Sequence, residues 1–269
     1  MSLCSRFWDG PQPHDSAARR ALAEKIAIEA QNRFGARFRG AALYGSAARG
    51  TDLPYSDVEL FALIDGEHEE SFEEWVWGPG RVELNVIGWE TAQKMAADVE
   101  SDWPLSRGQF IHAVPLAGDP AQFEQLRTQS LSVPEERFHA AMRAILLEEL
   151  YELLGKLRNA RQRRLQDPVP ALASQFAFWM AMLLGLAHRH CFRNSYLLLK
   201  EALGLPSPPA GFDLLVRLVC DGRLNDLEET ATAVENAWQG LEPWTLNQGL
   251  AIEALLYPPA AGADSEEAI

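Results

Sequence analysis

The chain has 269 residues, 47% of them hydrophobic, enough for one large domain or two modest ones with genuine cores. Its 24 basic and 38 acidic residues leave a net charge of −14. That balance argues against sequence-independent nucleic-acid binding, which needs cations to displace phosphate counterions, and suits a polycationic ligand instead. Cys4, Cys191 and Cys220 are too scattered for a disulfide framework or a zinc cage. The start of the chain has no apolar leader, and no run approaches the roughly 18 apolar residues of a membrane span, so a cytoplasmic protein is expected.

In chain order, Leu22, Ala23, Ile26, Ala27, Ala30 and Phe34 predict a helix over 15–34, with Asp15 or Ser16 as its N-cap. Residues 41–44 read as a short strand ended by Gly45-Ser46, and residues 58–64 as a second. Gly66 and Gly78-Pro79-Gly80 mark turns, and Glu74 falls in this turn-rich stretch. Residues 81–87 read as a third strand, with Val82, Leu84 and Val86 on one face and Glu83 and Asn85 on the other. A helix is expected over 89–99. From Pro134 the pattern is helical only: one long helix over 135–164, then segments at 171–190, 195–203, 212–221 and 227–244. The tail after Tyr257 is expected to fray. The fold class is therefore α+β: an N-terminal mixed β-sheet domain with helices over 1–130, then an all-helical bundle over 131–269.

The chemistry is concentrated between Tyr44 and Leu60. Gly45 permits a tight turn after a strand, and Ser46 opens a short helix whose N-terminus favours an anion. Arg49, one turn on, can add a charge-assisted bond to a phosphate. Asp57 and Glu59 lie two residues apart on the second strand and so share a face, where they can hold a hard divalent cation such as Mg²⁺. Glu83 can reach the same metal or a reacting hydroxyl. Each piece alone has a plainer reading: Gly-Ser as a mere turn, the acidic pair as a solvated strand face. Together they read as a phosphate cradle followed by a metal clamp, because two uncompensated carboxylates on one face repel. On the long helix, Glu148, Glu152 and Lys156 fall at i, i+4 and i+8, on one stripe. His188 and His190 point apart on a helix and do not make a metal site.

The segment Tyr44–Leu60 resembles the nucleotidyltransferase superfamily pattern, a Gly-Ser turn followed by an acidic pair on the next strand. The chain more closely resembles the aminoglycoside 4′-O-nucleotidyltransferase family, through Tyr44-Gly-Ser, Thr51-Asp52, Pro54-Tyr-Ser-Asp-Val-Glu59, Val82-Glu-Leu-Asn85 and Glu100-Ser-Asp-Trp-Pro-Leu105. The likeness continues in Gly108-Gln-Phe110, Glu148-Glu-Leu-Tyr-Glu152, Gly155-Lys156 and Arg158-Asn159, and more weakly at Gly240 and Trp244. Glu59, where many superfamily members carry Asp, agrees with the narrower family. The motifs that carry the likeness do not reach the first forty residues or the acidic tail.

The resemblance implies transfer of AMP from Mg-ATP, or another nucleoside triphosphate, to the 4′-hydroxyl of drugs of the kanamycin, tobramycin and amikacin type, giving resistance. It implies Glu152 as general base, Glu148 and Glu74 as carboxylates facing the drug, and Lys156 on the nucleotide phosphates. It also implies a homodimer in which the long helix serves the other subunit's site. Two rival readings are a nucleotidyltransferase with another small-molecule, protein or RNA acceptor, and a nucleotide-binding module without catalysis. The absence of a Lys/Arg stripe counts against RNA.

Overall fold

The computed structural model describes residues 7–66 and 70–250; Cys4 and the tail after Tyr257 lie outside them. The chain divides into two compact units, Met1–Val99 with Leu105–Pro134, and Glu100–Pro104 with Glu135–Ile269.

The first unit is built on five strands: β1 (Phe38–Leu43), β2 (Val58–Ile64), β3 (Ser71–Trp77), β4 (Gly80–Gly88) and β5 (Val114–Gly118). Their order is β3-β4-β2-β1-β5. β2 and β4 run parallel and the other neighbours antiparallel, so the sheet is mixed. Alternation decides what each face meets. Ala41, Leu43, Leu60, Ala62, Val82, Leu84 and Val86 turn to one side and pack on Ala23, Ile26, Ala27 and Ala30 of helix α1 (Ser16–Phe34). The Asp15 carboxylate caps α1, accepting from the Ala18 N–H at 2.7 Å. Phe61, Leu63, Ala42 and Ile87 turn to the other side, under α2 (Trp89–Ala97), Phe110 and α3 (Pro120–Leu131). A large apolar side chain buried in such a layer contributes about 1.5–3 kcal/mol. This second layer packs on the C-terminal halves of β2 and β4. The beginnings of those strands carry Glu59 and Glu83 on the same face.

The structure departs from the sequence expectation at three strands. Glu74 lies within β3 and not in a turn-rich stretch, so the strand carrying Glu83 is the fourth. β3 is an edge strand with apolar residues on both faces (Phe72 and Val76 outward, Trp75 inward), so no clean alternation announces it. It joins β4 through Gly78-Pro79, a two-residue hairpin loop that needs the positive φ of Gly78. β1 begins at Phe38, three residues earlier than expected. β5 was not anticipated, because Pro115 interrupts the apolar run; an edge strand tolerates proline.

The regular structure of the second unit, among its described residues, consists of helices joined by loops. One rod contains α4 (Glu135–Ala144), a wide π-helical stretch Ile145–Tyr151, and α5 (Glu152–Gln162). α6 (Val169–Ala187), a short helix Leu198–Ala202, α7 (Phe212–Cys220) and α8 (Leu227–Asn247) follow. Contrary to the sequence expectation, α6 is long and apolar enough to cross a membrane by length and composition, but it is mostly buried within this unit, as a core helix would be. It stops at Ala187, so His188 and His190 lie beyond the helix that was expected to hold them. His190 faces Glu201 at 3.5 Å. The helix expected over 195–203 shortens to Leu198–Ala202.

Candidate active site

β1 runs into Tyr44, and the chain then turns through Gly45 into a single helical turn, Gly45–Ala48. Gly45 adopts φ +68°, and a Cβ there would overlap the Glu59 carboxylate. Only glycine lets the turn wrap so closely around that side chain. Glu59 accepts a hydrogen bond from the Ser46 N–H, so the helix N-terminus faces one of the protein's own carboxylates. Arg49 closes the turn, with its guanidinium lying over Gly108, where a Cβ would meet Nη2 at 2.5 Å. That packing gives a physical reason for the glycine of Gly108-Gln-Phe110.

The loop from Gly50 to Asp57 is tied down from below. Asp52 accepts from Arg19 Nε at 2.7 Å and from the Ser16 hydroxyl, and Arg19 is buried with a further bond to the His14 carbonyl at 2.8 Å. Burial alone would raise the Asp52 carboxyl; the Ser16 hydroxyl and the Arg19 guanidinium hold it below the usual range. Thr51-Asp52 is thus the anchor that delivers Asp57 to the head of β2. Asp57 itself is the residue just before the strand, and it keeps the same side as Glu59.

Register assembles the rest. Glu59 on β2 stands opposite Glu83 on β4, and Glu83 stands opposite Glu74 on β3. Three glutamates therefore form a row across three strands, with Asp57 beside it. Arg81, two residues before Glu83 on the same face, binds the row together. Its Nη1 donates to Asp57 at 2.7 Å, and its Nη2 donates to Glu74 at 2.6 Å and Glu83 at 2.8 Å. The Tyr44 hydroxyl donates to the other oxygen of Glu83. Burial and then Glu83 push the Tyr44 phenol far above its ordinary range, so it remains a donor. Burial works against the Arg81 charge, but its bonds to Glu74, Glu83 and Asp57 outweigh it.

Glu59 bears the cost of this crowding. Burial first, then the charges of Asp57 and Glu83, raise its pKa to about 7. The site therefore holds more negative charge than its own groups neutralise. Among the described residues no three His, Cys, Asp or Glu side chains make a ready-made metal cage. Mg²⁺ needs none, since it binds through one or two carboxylates together with substrate phosphates and water. Asp57 and Glu59 supply hard oxygen donors within this acidic row, and so fit such an ion.

Glu148, Glu152 and Lys156 belong to the second unit. Glu152 pairs with Lys156 at 2.6 Å, with the side chains 60% and 54% exposed. So open a pair contributes only a few tenths of a kcal/mol. Glu148 sits in the π-helical stretch. In an α-helix each four-residue step overshoots a full turn by about 40°. The wider π turn takes that overshoot back between Glu148 and Glu152, so Glu148 and Lys156 lie nearer one line than eight α-helical residues would place them. Past Lys156 the helix is fixed to α8: Arg158 forks onto Glu235 with two bonds of 2.8 Å. A surface cavity of about 370 Å³ adjoins Lys156, lined also by Asn159, Arg163, Leu165 and Pro168.

Sequence reasoning passed over Arg81 and the hydroxyl of Tyr44. The available signal was positional: Arg81 is at i−2 from Glu83 and must share its face. Trp103, in the string Glu100–Leu105, is also explained. It is 1% exposed and meets Phe138 edge-on at 5.0 Å, while the Pro104 carbonyl accepts from the Phe192 N–H at 2.8 Å. The string is an anchor of the second unit.

The family described as KNTase C-terminal domain matches residues 120–251. Curated relatives named aminoglycoside nucleotidyltransferase (4′), one from a Bacillus species and one from Staphylococcus aureus, are each 35% identical over 245 residues, covering 91% of this chain and 97% of theirs. A solved nucleotidyltransferase-like protein from Exiguobacterium sibiricum aligns at 12% identity and a TM-score of 0.48, over 87% of this chain and 76% of that one. With more than a third of positions shared along nearly the whole of both chains, this protein belongs to the aminoglycoside 4′-nucleotidyltransferase family.

Proposed function

We propose that the protein transfers the adenylyl group of ATP to the 4′-hydroxyl of an aminoglycoside and releases pyrophosphate, conferring resistance in the cytoplasm. The observation that carries this reading is the row Glu59–Glu83–Glu74 with Asp57 at its edge, an acidic strip in which one carboxyl is raised to about 7. Such a strip suits two cationic ligands: a divalent metal on a triphosphate, and the ammonium groups of a sugar.

Asp57 and Glu59 would hold Mg²⁺, whose chemistry when bound is to neutralise triphosphate charge and orient the α-phosphorus for in-line attack. The Ser46 hydroxyl and the Arg49 guanidinium grip the leaving phosphates, and Lys156 adds a further positive charge. Glu74, Glu83 and Glu148 pair with ammonium groups of the drug and set its position. Glu152 accepts the proton of the attacking hydroxyl, a contribution of roughly 10²–10⁴-fold. We further propose a homodimer in which Glu148, Glu152 and Lys156 serve the acidic row of a second copy. The net charge of −14 steers polycationic substrates toward the protein.

The test is product identification. Protein, ATP, Mg²⁺ and kanamycin are incubated, and the aminoglycoside is examined by mass spectrometry and ³¹P NMR. An adenylyl phosphodiester at the 4′ position is expected. An unmodified drug, or an adduct confined to another hydroxyl, would contradict the reading.

A further inference from the structure

Arg81 touches three of the four carboxylates in the acidic strip. Nη1 is on Asp57, and Nη2 is shared between Glu74 and Glu83. These carboxylates are the ones the functional reading assigns to different ligands: Asp57 to the metal, Glu74 and Glu83 to the drug. We propose that Arg81 is the shared counter-cation that both ligands must displace, and that this shared displacement couples their binding. The inference rests on that reading and adds a residue to it.

A divalent cation seated at Asp57 takes the acceptor from Nη1 and brings its own positive charge close to the guanidinium. Both effects weaken the hold of Arg81 on Glu74 and Glu83, and those carboxylates become available to ammonium groups. The converse holds equally. Ammonium groups on Glu74 and Glu83 remove the acceptors of Nη2 and leave Arg81 tethered only at Asp57, where the metal then competes more easily. Thermodynamic reciprocity requires the two effects to be equal. Arg81 is suited to the part. Its side chain is 41% exposed, so its bonds are screened and its departure needs no repacking of the core. It also sits one residue past the Gly78–Gly80 hairpin, on the strand next to the sheet edge. Without Arg81, a metal and an ammonium group sharing one acidic strip would simply repel each other.

The experiment uses the whole protein without nucleotide, so that triphosphate charge does not link the ligands directly. Mn²⁺ binding is followed by electron paramagnetic resonance and kanamycin binding by calorimetry, each alone and in the presence of the other, for wild type, Arg81→Met and Arg81→Lys. Circular dichroism and a melting curve establish that each variant is folded. In the wild type each ligand tightens the other several-fold. In Arg81→Met each ligand alone binds roughly tenfold tighter, and the mutual effect vanishes or turns antagonistic. Arg81→Lys, a point charge without the fork, falls between. The proposal is overturned if Arg81→Met binds both ligands no more tightly than wild type, or retains the mutual tightening. A wild type that binds no Mn²⁺ in the absence of nucleotide would overturn this inference alone, whereas one that binds kanamycin neither by itself nor with Mg-ATP would overturn the functional reading, and this inference with it.

Discussion

Replacing Glu59 by glutamine separates what the acidic strip costs from what it does. The Glu59 carboxyl is raised from its ordinary 4.5 to about 7, chiefly by burial and then by Asp57 and Glu83. A raised carboxyl pKa means that the folded chain binds this proton more tightly than the unfolded one. Its contribution to stability is complete below pH 4.5 and is lost as pH rises through about 7. A shift of 4.5 to 7 at about 1.4 kcal/mol per unit sets the loss at about 3 kcal/mol by pH 8. A glutamine side chain has the same shape, keeps an oxygen for the Ser46 N–H, and carries no charge. Part of the gain is given back because that bond is no longer charge-assisted. Glu59→Gln should therefore stabilise the metal-free protein at pH 8 by about 1–3 kcal/mol. At about 2 °C per kcal/mol for a chain of this size, the melting temperature rises by about 2–6 °C. Differential scanning calorimetry in EDTA at pH 5 and pH 8 reads the effect directly, and turnover is measured alongside. The variant should gain stability at pH 8, show little difference at pH 5, and lose turnover. A variant less stable than wild type at pH 8, or a difference that persists at pH 5, would refute the electrostatic reasoning.

Gly45→Ala should be far worse than an ordinary glycine substitution, since its Cβ would overlap the Glu59 carboxylate; a loss of about 2 kcal/mol or more and of at least roughly 10²-fold in turnover is expected from denaturation and steady-state assays. Asp57→Asn should abolish pyrophosphate release while leaving kanamycin binding within a few-fold, and Glu148→Gln should chiefly raise the drug KM. Normal turnover in Asp57→Asn would exclude Asp57 from the metal site. Trp103→Ala should destabilise the second unit by about 3–5 kcal/mol, seen as a lower melting temperature without a change in the KM for ATP of the protein that remains folded.

Sheet periodicity made Glu59 and Glu83 legible, because alternate residues on strands share a face whatever surrounds them. Gly45 and Ser46 were legible as a turn, but that the turn closes on Glu59 is a three-dimensional fact. Glu74 was expected to face the drug, yet its strand was not seen. The apolar residues of Ser71–Trp77 lie on both faces, and an edge strand is only half covered. Arg81 went unnoticed because its partners arrive from β2, β3 and β4, and no spacing along the chain records that convergence. The rod over 135–162 reads correctly as helix, while the wide turn at Ile145–Tyr151 does not, since apolar spacing barely distinguishes one extra residue per turn. Trp103 is marked in the sequence only by resemblance; its edge-on contact with Phe138, distant along the chain, gives the physical reason.

On the proposed reading, the acidic strip directs ATP to one hydroxyl of a sugar amine. Pyrophosphate release with Mg-ATP, measured with kanamycin and with its 4′-deoxy counterpart under identical conditions, tests it most directly. Steady release is expected with the first and only background with the second. Equal release from both, or from neither, would contradict it.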